Sequence, residues 1–260
     1  MRTLVFCAAL LPLAACGGLS IYGLEDLEQP PREASSFVSG EFLLVSLQVD
    51  PETDLDGDGV IDNNLPNALA AIEQVIPEDE WELGEFNARL DETLHTTTRI
   101  LLDADHDGQR LDLDVVLETL GDADFEDRTT FGGVFTDERS FSAGPGDLRM
   151  PMLAYAEADP VDIQLWDTVI TGVMDDGGSA GTMATVIPIA PLMDDVIAPM
   201  IPASGFDLNG DGVKESHDEV MDFLWAVAPL LGDVTFDDGQ TGISAFLHWE
   251  AAPESDVPSL

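Results

Sequence analysis

The stretch Thr98-Arg-Ile-Leu-Leu-Asp-Ala-Asp-His-Asp-Gly-Gln-Arg-Leu-Asp-Leu-Asp-Val-Val-Leu117 can be read in two ways, and the choice decides the fold. In the first, residues 98–102 and 111–117 are strands. Leu111, Leu113 and Val115 alternate with Asp112 and Asp114, a period of two that buries one face and wets the other. Asp107-Gly108 is then an ordinary hairpin turn. In the second, Asp103, Asp105 and Asp107 are oxygen ligands at positions 1, 3 and 5 of a cation loop. Gly108 gives the sharp turn at position 6 and Asp114 stands at position 12. Strand patterns on both sides favour the hairpin, and the four carboxylates remain metal candidates.

The same acidic skeleton recurs twice. Asp207-Leu-Asn209-Gly-Asp211-Gly212 continues with the Val213 carbonyl at position 7, Glu215 at 9 and Asp218 at 12. Helical patterns are expected on both sides, as an EF-hand requires, although Asp at position 12 reaches less far than the usual Glu. Asp54-Leu-Asp56-Gly-Asp58-Gly59 continues with Val60 and Asp62, but Leu65 at position 12 cannot bind. This loop resembles the calcium repeats of thrombospondin type 3 and dockerin-like modules, in which neighbouring turns lend ligands; Asn63 or Asn64 would play that part. Hard oxygen donors also suit Mg2+ or Na+; the number of ligands and the flexibility of the loops favour Ca2+. Zinc is disfavoured, because the four His are not at ligand spacing and there is no spare Cys.

Working outward, Leu43, Val45, Leu47 and Val49 form a one-sided strand pattern. Residues 65–76 and 85–94 have helical spacing. From Phe131 to about Met174, short strands are expected between Gly and Pro turns, with Ala143-Gly-Pro-Gly146 as one marker. Residues 175–181 read as a loop. The apolar run broken by Pro188, Pro191, Pro199 and Pro202 reads as one interrupted helix. A helix carrying Val220, Phe223, Leu224 and Val227 ends at Pro229, and residues 242–249 are a last strand. The class is α+β: a mostly antiparallel β sandwich or barrel with flanking helices and a C-terminal EF-hand-like helix-loop-helix. The expected division is a leader at 1–15, a tether at 16–36 and a mainly β domain at 37–182. A helical EF-hand-like region packed on it spans 183–250, and a polar tail spans 251–260.

Charge sets the partners. The chain has 52 acidic residues against 9 basic, a net charge of −43, and Lys214 is its only lysine. Such a surface repels nucleic acid and anionic headgroups, and its self-repulsion calls for salt or divalent cations. A hydrophobic content of 45% argues against disorder and for a packed core in a salt-adapted protein. A short positive start, an apolar run over 4–13 and small residues before a cleavage point describe an export leader. Its ending, Leu13-Ala-Ala-Cys16, resembles the lipobox of bacterial lipoproteins. That resemblance implies cleavage before Cys16, lipid on its thiol and a place in the cell envelope, with Gly17 favouring the outer membrane.

For catalysis, one motif stands out. Gly177-Gly-Ser179-Ala-Gly181 matches the nucleophile elbow of serine hydrolases, with His217 and His248 downstream. The repeated βαβ pattern of a hydrolase sheet is missing, however, so an enzyme is not the expectation. The lipobox, the early Asp-Leu-Asp-Gly-Asp-Gly, the Gly-Pro-Gly of the β region and the late Phe206-Asp-Leu-Asn-Gly-Asp-Gly together resemble uncharacterised secreted lipoproteins of myxobacteria. The expected function is a calcium-clasped, lipid-anchored envelope protein with a structural or binding role. The alternatives are a hydrolase using Ser179, or a glycan- or protein-binding module with Trp166 or Trp249 exposed.

Overall fold

The computed structural model describes residues 39–49, 51, 63–73, 83–96, 98–106, 110–119, 126–136, 139–153, 160–175, 178–201, 203–208, 211–236 and 238–253. Among the described residues nine antiparallel strands form one sheet. They are β1 (Gly40–Val49), β2 (Thr98–His106), β3 (Arg110–Thr119), β4 (Glu126–Phe135), β5 (Ser140–Leu153), β6 (Pro160–Asp175), β7 (Gly178–Pro188), the two-residue β8 (Val234–Thr235) and β9 (Thr241–Pro253). Neighbours follow chain order from β1 to β7; β9 then pairs with β7 on one side and with β1 on the other. That double pairing closes an eight-strand barrel and removes both sheet edges. Of the two expected architectures, the structure is the barrel.

The seam also redraws the expected division. β7 runs through the boundary at 182/183, and β9 reaches Pro253, beyond the expected tail boundary. The segment 183–250 is therefore part of the barrel wall together with an insertion in it.

Alternation fills the interior. Ile100, Leu102 and Ala104 of β2, and Leu111, Leu113, Val115 and Leu117 of β3, join the main core, while Asp112 and Asp114 face out. β1 departs from the simple pattern. A bulge between Leu44 and Ser46 changes the phase, so Phe42, Leu44, Leu47 and Val49 point in. Leu43 instead joins Leu101 and Val116 in a small outer-face cluster.

The expected Gly and Pro turns of the middle region are mostly irregularities inside long strands. The Ala143–Gly146 marker lies within fourteen-residue β5, where the register with β6 shifts. β6 carries a matching bulge between Trp166 and Val169. There Asp167 takes a positive φ of 51° and its N–H donates to the Asp147 carboxylate at 3.2 Å.

Trp249 fills much of the barrel centre and is 1% exposed. Room for it comes from two glycines paired across β6 and β7, Gly172 and Gly181. A Cβ at either would stand within 2.7 Å of the Trp249 ring. The remaining void, lined by Leu47, Leu102, Met150, Met183, Trp249 and their neighbours, is about 10 Å3. An apolar void of that size holds no ligand and offers a water no partners.

The two ends of the barrel differ. Tight hairpins join β2–β3, β4–β5 and β6–β7 at one end, where β1 starts and β9 finishes. The helical insertions occupy the other. α1 (Leu65–Glu73) and α2 (Leu83–Thr96) link β1 to β2. Phe86, Leu90 and Leu94 of α2 recur at 3.6-residue period and enter the core. α2 packs on both β1 and β5, which stand on opposite sides of the ring, so it lies across this end as a plug. The Asn87 side chain accepts from Val49 N–H (2.8 Å) and donates to its carbonyl (3.3 Å), finishing the ladder where β1 stops.

The second insertion joins β7 to β9. The expected broken helix starts later than the sequence suggests, because residues 182–188 complete β7. Helical residues run from 189 to 200 and contain a π-helical turn, Leu192–Ile197, between Pro191 and Pro199, which have no N–H to donate. The last helix is His217–Val227, followed by a 3-10 turn, Ala228–Leu230. It buries Val220, Met221 and Leu224, whereas Phe223, expected in its apolar stripe, is exposed.

Candidate functional site

The Asp207 segment is a closed loop leading into a helix. Its ends are tied by Glu215 N–H donating to the Phe206 carbonyl at 2.7 Å. Gly205, at φ +63°, makes the close approach possible: a Cβ there would meet the Glu215 carbonyl oxygen at 1.6 Å. Asp207 turns its carboxylate into the loop and accepts N–H groups of Asp211 (3.2 Å) and Gly212 (2.7 Å). Asp211 accepts from Val213 N–H at 2.8 Å. Gly212 supplies the turn at φ +86°. Glu215 turns back, its Oε2 accepting Leu208 N–H at 2.7 Å. Asp207 and Glu215, at positions 1 and 9, thus turn into the loop, while Asp211 at position 5 is exposed. Asn209, expected at position 3, lies outside the described residues.

Position 12 differs from expectation. Asp218 lies in the first turn of the last helix with its side chain fully exposed, 3.5 Å from the His217 ring. Glu219 is committed to a capping box: Ser216 Oγ accepts Glu219 N–H, and Glu219 Oε2 accepts Ser216 N–H at 2.8 Å. Two donors of Ser216, its backbone N–H first and its hydroxyl (2.8 Å) second, hold the Glu219 carboxyl below the usual glutamate range. The helix start is thereby fixed just past the loop, and no position-12 carboxylate closes it. On the entering side, residues 201–206 separate the loop from the 189–200 helical run. Among the described residues, no group of three or more His, Cys, Asp and Glu side chains stands close enough to hold a metal ion.

The Asp103 stretch is a hairpin. Asp103 and Asp105 stand in β2, directly opposite Asp114 and Asp112 of β3. Asp114 is met by Arg128 and Thr130 of β4, and Arg128 also lies 3.7 Å from Asp103. A wrapping loop cannot form, because the strand ladder holds these residues extended; Asp107 lies outside the described residues. The whole Asp54 loop, with Asp56, Asp58, Val60 and Asp62, also lies outside them. Its expected helpers serve the fold instead. Asn63 is fully buried, donates to the Phe246 carbonyl at 3.0 Å and accepts Leu65 N–H at 3.3 Å. Asn64 donates to the Leu231 carbonyl at 2.8 Å. Cys16 is likewise outside the described residues.

Ser179 is not set up as a nucleophile. It lies near the start of β7, with a strand after it rather than a helix, and its Oγ donates to the Val173 carbonyl at 3.0 Å. His248 is three positions from its β9 partner Ala251 and faces out, whereas Ala251 and Ser179 share the inner side. His217 is at the helical end, beyond the far end of β7, with its ring 3.2 Å from the Ala198 carbonyl. Two glycines of the motif have structural causes: Gly178 takes φ +136° at the start of β7, and Gly181 makes room for Trp249; Gly177 lies outside the described residues. Trp249 is buried, and half-buried Trp166 packs edge-on against Phe236 with ring centroids 4.9 Å apart. Neither forms an exposed aromatic platform.

Two features escape sequence reading. A groove of about 440 Å3 separates the π-helical turn from the outer face of β5 and β6, lined by Arg149, Gln164, Asp162, Asp194 and Asp195. The other is the apolar outer side of the last helix. Neither has a motif; the prolines at 191 and 199 are the sole sequence signal for the π turn. Comparison with protein-family models, curated proteins and solved structures finds no match to this chain.

Proposed function

We propose that the protein is a lipid-anchored envelope barrel with a structural or binding role, in which Ca2+ clasps the loop starting at Asp207. The observation that supports this reading is the turn of Asp207 and Glu215 into a loop whose ends are tied together, with Asp211 exposed beside them. With Asn209 and the Val213 carbonyl they supply the ligand types that a Ca2+ loop uses. The exposed Asp218 leaves such an ion partly hydrated, which points to weak binding suited to a calcium-rich exterior. The site is EF-hand-like in its loop and exiting helix only. Among the described residues the void beside Trp249 is about 10 Å3, too small for a ligand, which favours a scaffold over a carrier.

Calorimetric titration of the mature chain with CaCl2 should show binding in the range of about 10⁻⁴–10⁻³ M, abolished or halved in stoichiometry by Asp207→Ala. Thermal melting in high salt should drop on chelation, and an unchanged midpoint would end the clasp reading. The anchor is tested separately. Metabolic labelling with a fatty-acid analogue should mark the protein and be lost in Cys16→Ser.

A further inference from the structure

Among the described residues five large apolar side chains are exposed: Val173, Val213, Phe223, Trp225 and Leu230. Four of them fall between residues 213 and 230, so they are not the scattered singles of an ordinary surface. Leu230 is 83% exposed and Phe223 44%. Their order on the helix is informative. Phe223, Ala226 and Leu230 follow at i, i+3 and i+7 and share one side. Trp225 and Pro229, four apart, share the other. Asp218 and Asp222, also four apart and exposed, lie on the Trp225 side, next to the side that carries Phe223 and Ala226. The fold has buried the opposite face, through Val220, Met221 and Leu224, and has left this one uncovered.

We infer that this face docks a basic amphipathic segment of another protein, whose apolar side chains seat on Phe223, Ala226 and Leu230 and whose Lys or Arg side chains meet the neighbouring Asp218 and Asp222. Charge selects the occupant. The chain carries −43, so a second copy or an anionic lipid surface would add like charge to like. A cationic helix gains at both kinds of group, in the helix-against-apolar-face mode of recognition. The inference stands apart from calcium, because Phe223, Leu230 and Asp222 are outside the Asp207 loop's ligand set, and Asp218, expected in it at position 12, is turned out to solvent.

The test uses the mature chain and a synthetic helix of about 18 residues with Leu on one face and Lys on the other. Two control peptides accompany it: the same sequence with Glu for Lys, and one of equal charge with Gly for Leu. Calorimetry at physiological salt should give one site per protein for the Lys/Leu peptide alone. Phe223→Ser with Leu230→Ser should weaken it about tenfold, and Asp218→Asn with Asp222→Asn should also weaken it, while melting is unchanged. Equal binding of the Gly peptide, or undiminished binding by the Ser variant, would overturn the inference. So would Leu230-dependent flotation with phosphatidylcholine vesicles or Leu230-dependent dimers in sedimentation, in the absence of peptide binding.

Discussion

Gly181 shows how a single residue can be read for chemistry and turn out to concern space. In the sequence it closes a nucleophile-elbow motif. In the fold its missing Cβ lets β7 pass beside the Trp249 ring and the Thr171 carbonyl, which would lie 2.7 and 1.9 Å from such an atom. Gly181→Ala should therefore destabilise the barrel by at least the ~1–3 kcal/mol typical of overpacking, read as a lower melting midpoint. Pairing it with Trp249→Phe should restore part of the loss, because a smaller ring vacates the contact. Spacing alone could not show this, since the three residues that meet are set by strand register. β1 makes the same point. Its apolar pattern marks a strand, but the bulge after Leu44 decides that Leu47 and Val49 share the interior with Phe42 and Leu44, leaving Leu43 outside.

At the level of elements, local signals were legible wherever local physics decides. The alternation of 111–117 and the spacing of Leu65 with Leu69 both mark elements that form near their expected limits. The capping box at the last helix is equally local, and it moves Glu219 and Asp218 away from the loop they follow. Ser216→Ala should cost about 1 kcal/mol in melting experiments. The pH dependence has a definite sign. Glu219 has a lowered folded-state pKa, so the cap's contribution is complete above the ordinary glutamate value and is lost as pH falls through the lowered one. Amide exchange at Ser216 should quicken in that acidic window, and Glu219→Gln should remove the dependence. Residues 182–188 were misread because Pro188 and Pro191 suggest a broken helix. β7 is nevertheless a strand, since β6 and β9 are there to pair with it on both sides.

For the whole molecule, class and strand content were visible in the sequence, while closure was not. Closure depends on β9 meeting both β7 and β1, and no residue pattern encodes a partner so far away. The charge, by contrast, is fully legible. It places Asp103 against Asp114 and Asp105 against Asp112 on the outer wall, with Arg128 beside the first pair. Screening should matter accordingly. Raising NaCl from millimolar to molar should add on the order of 1 kcal/mol, or about 2–4 °C in melting midpoint. A midpoint that fell over this range would contradict the placement of self-repulsion on the folded surface.

The seam between β1 and β9 also sets an order of events in folding. Phe42 pairs with Pro253, so the first described strand waits for the last one before the ring can shut. Until then β1 and β7 each present a bare edge able to recruit a stranger's strand. Loop closure over such a separation makes this step slow compared with forming the hairpins. A sheet lacking only this seam would be C-shaped, and its heavy like charge would keep neighbouring unfinished sheets apart.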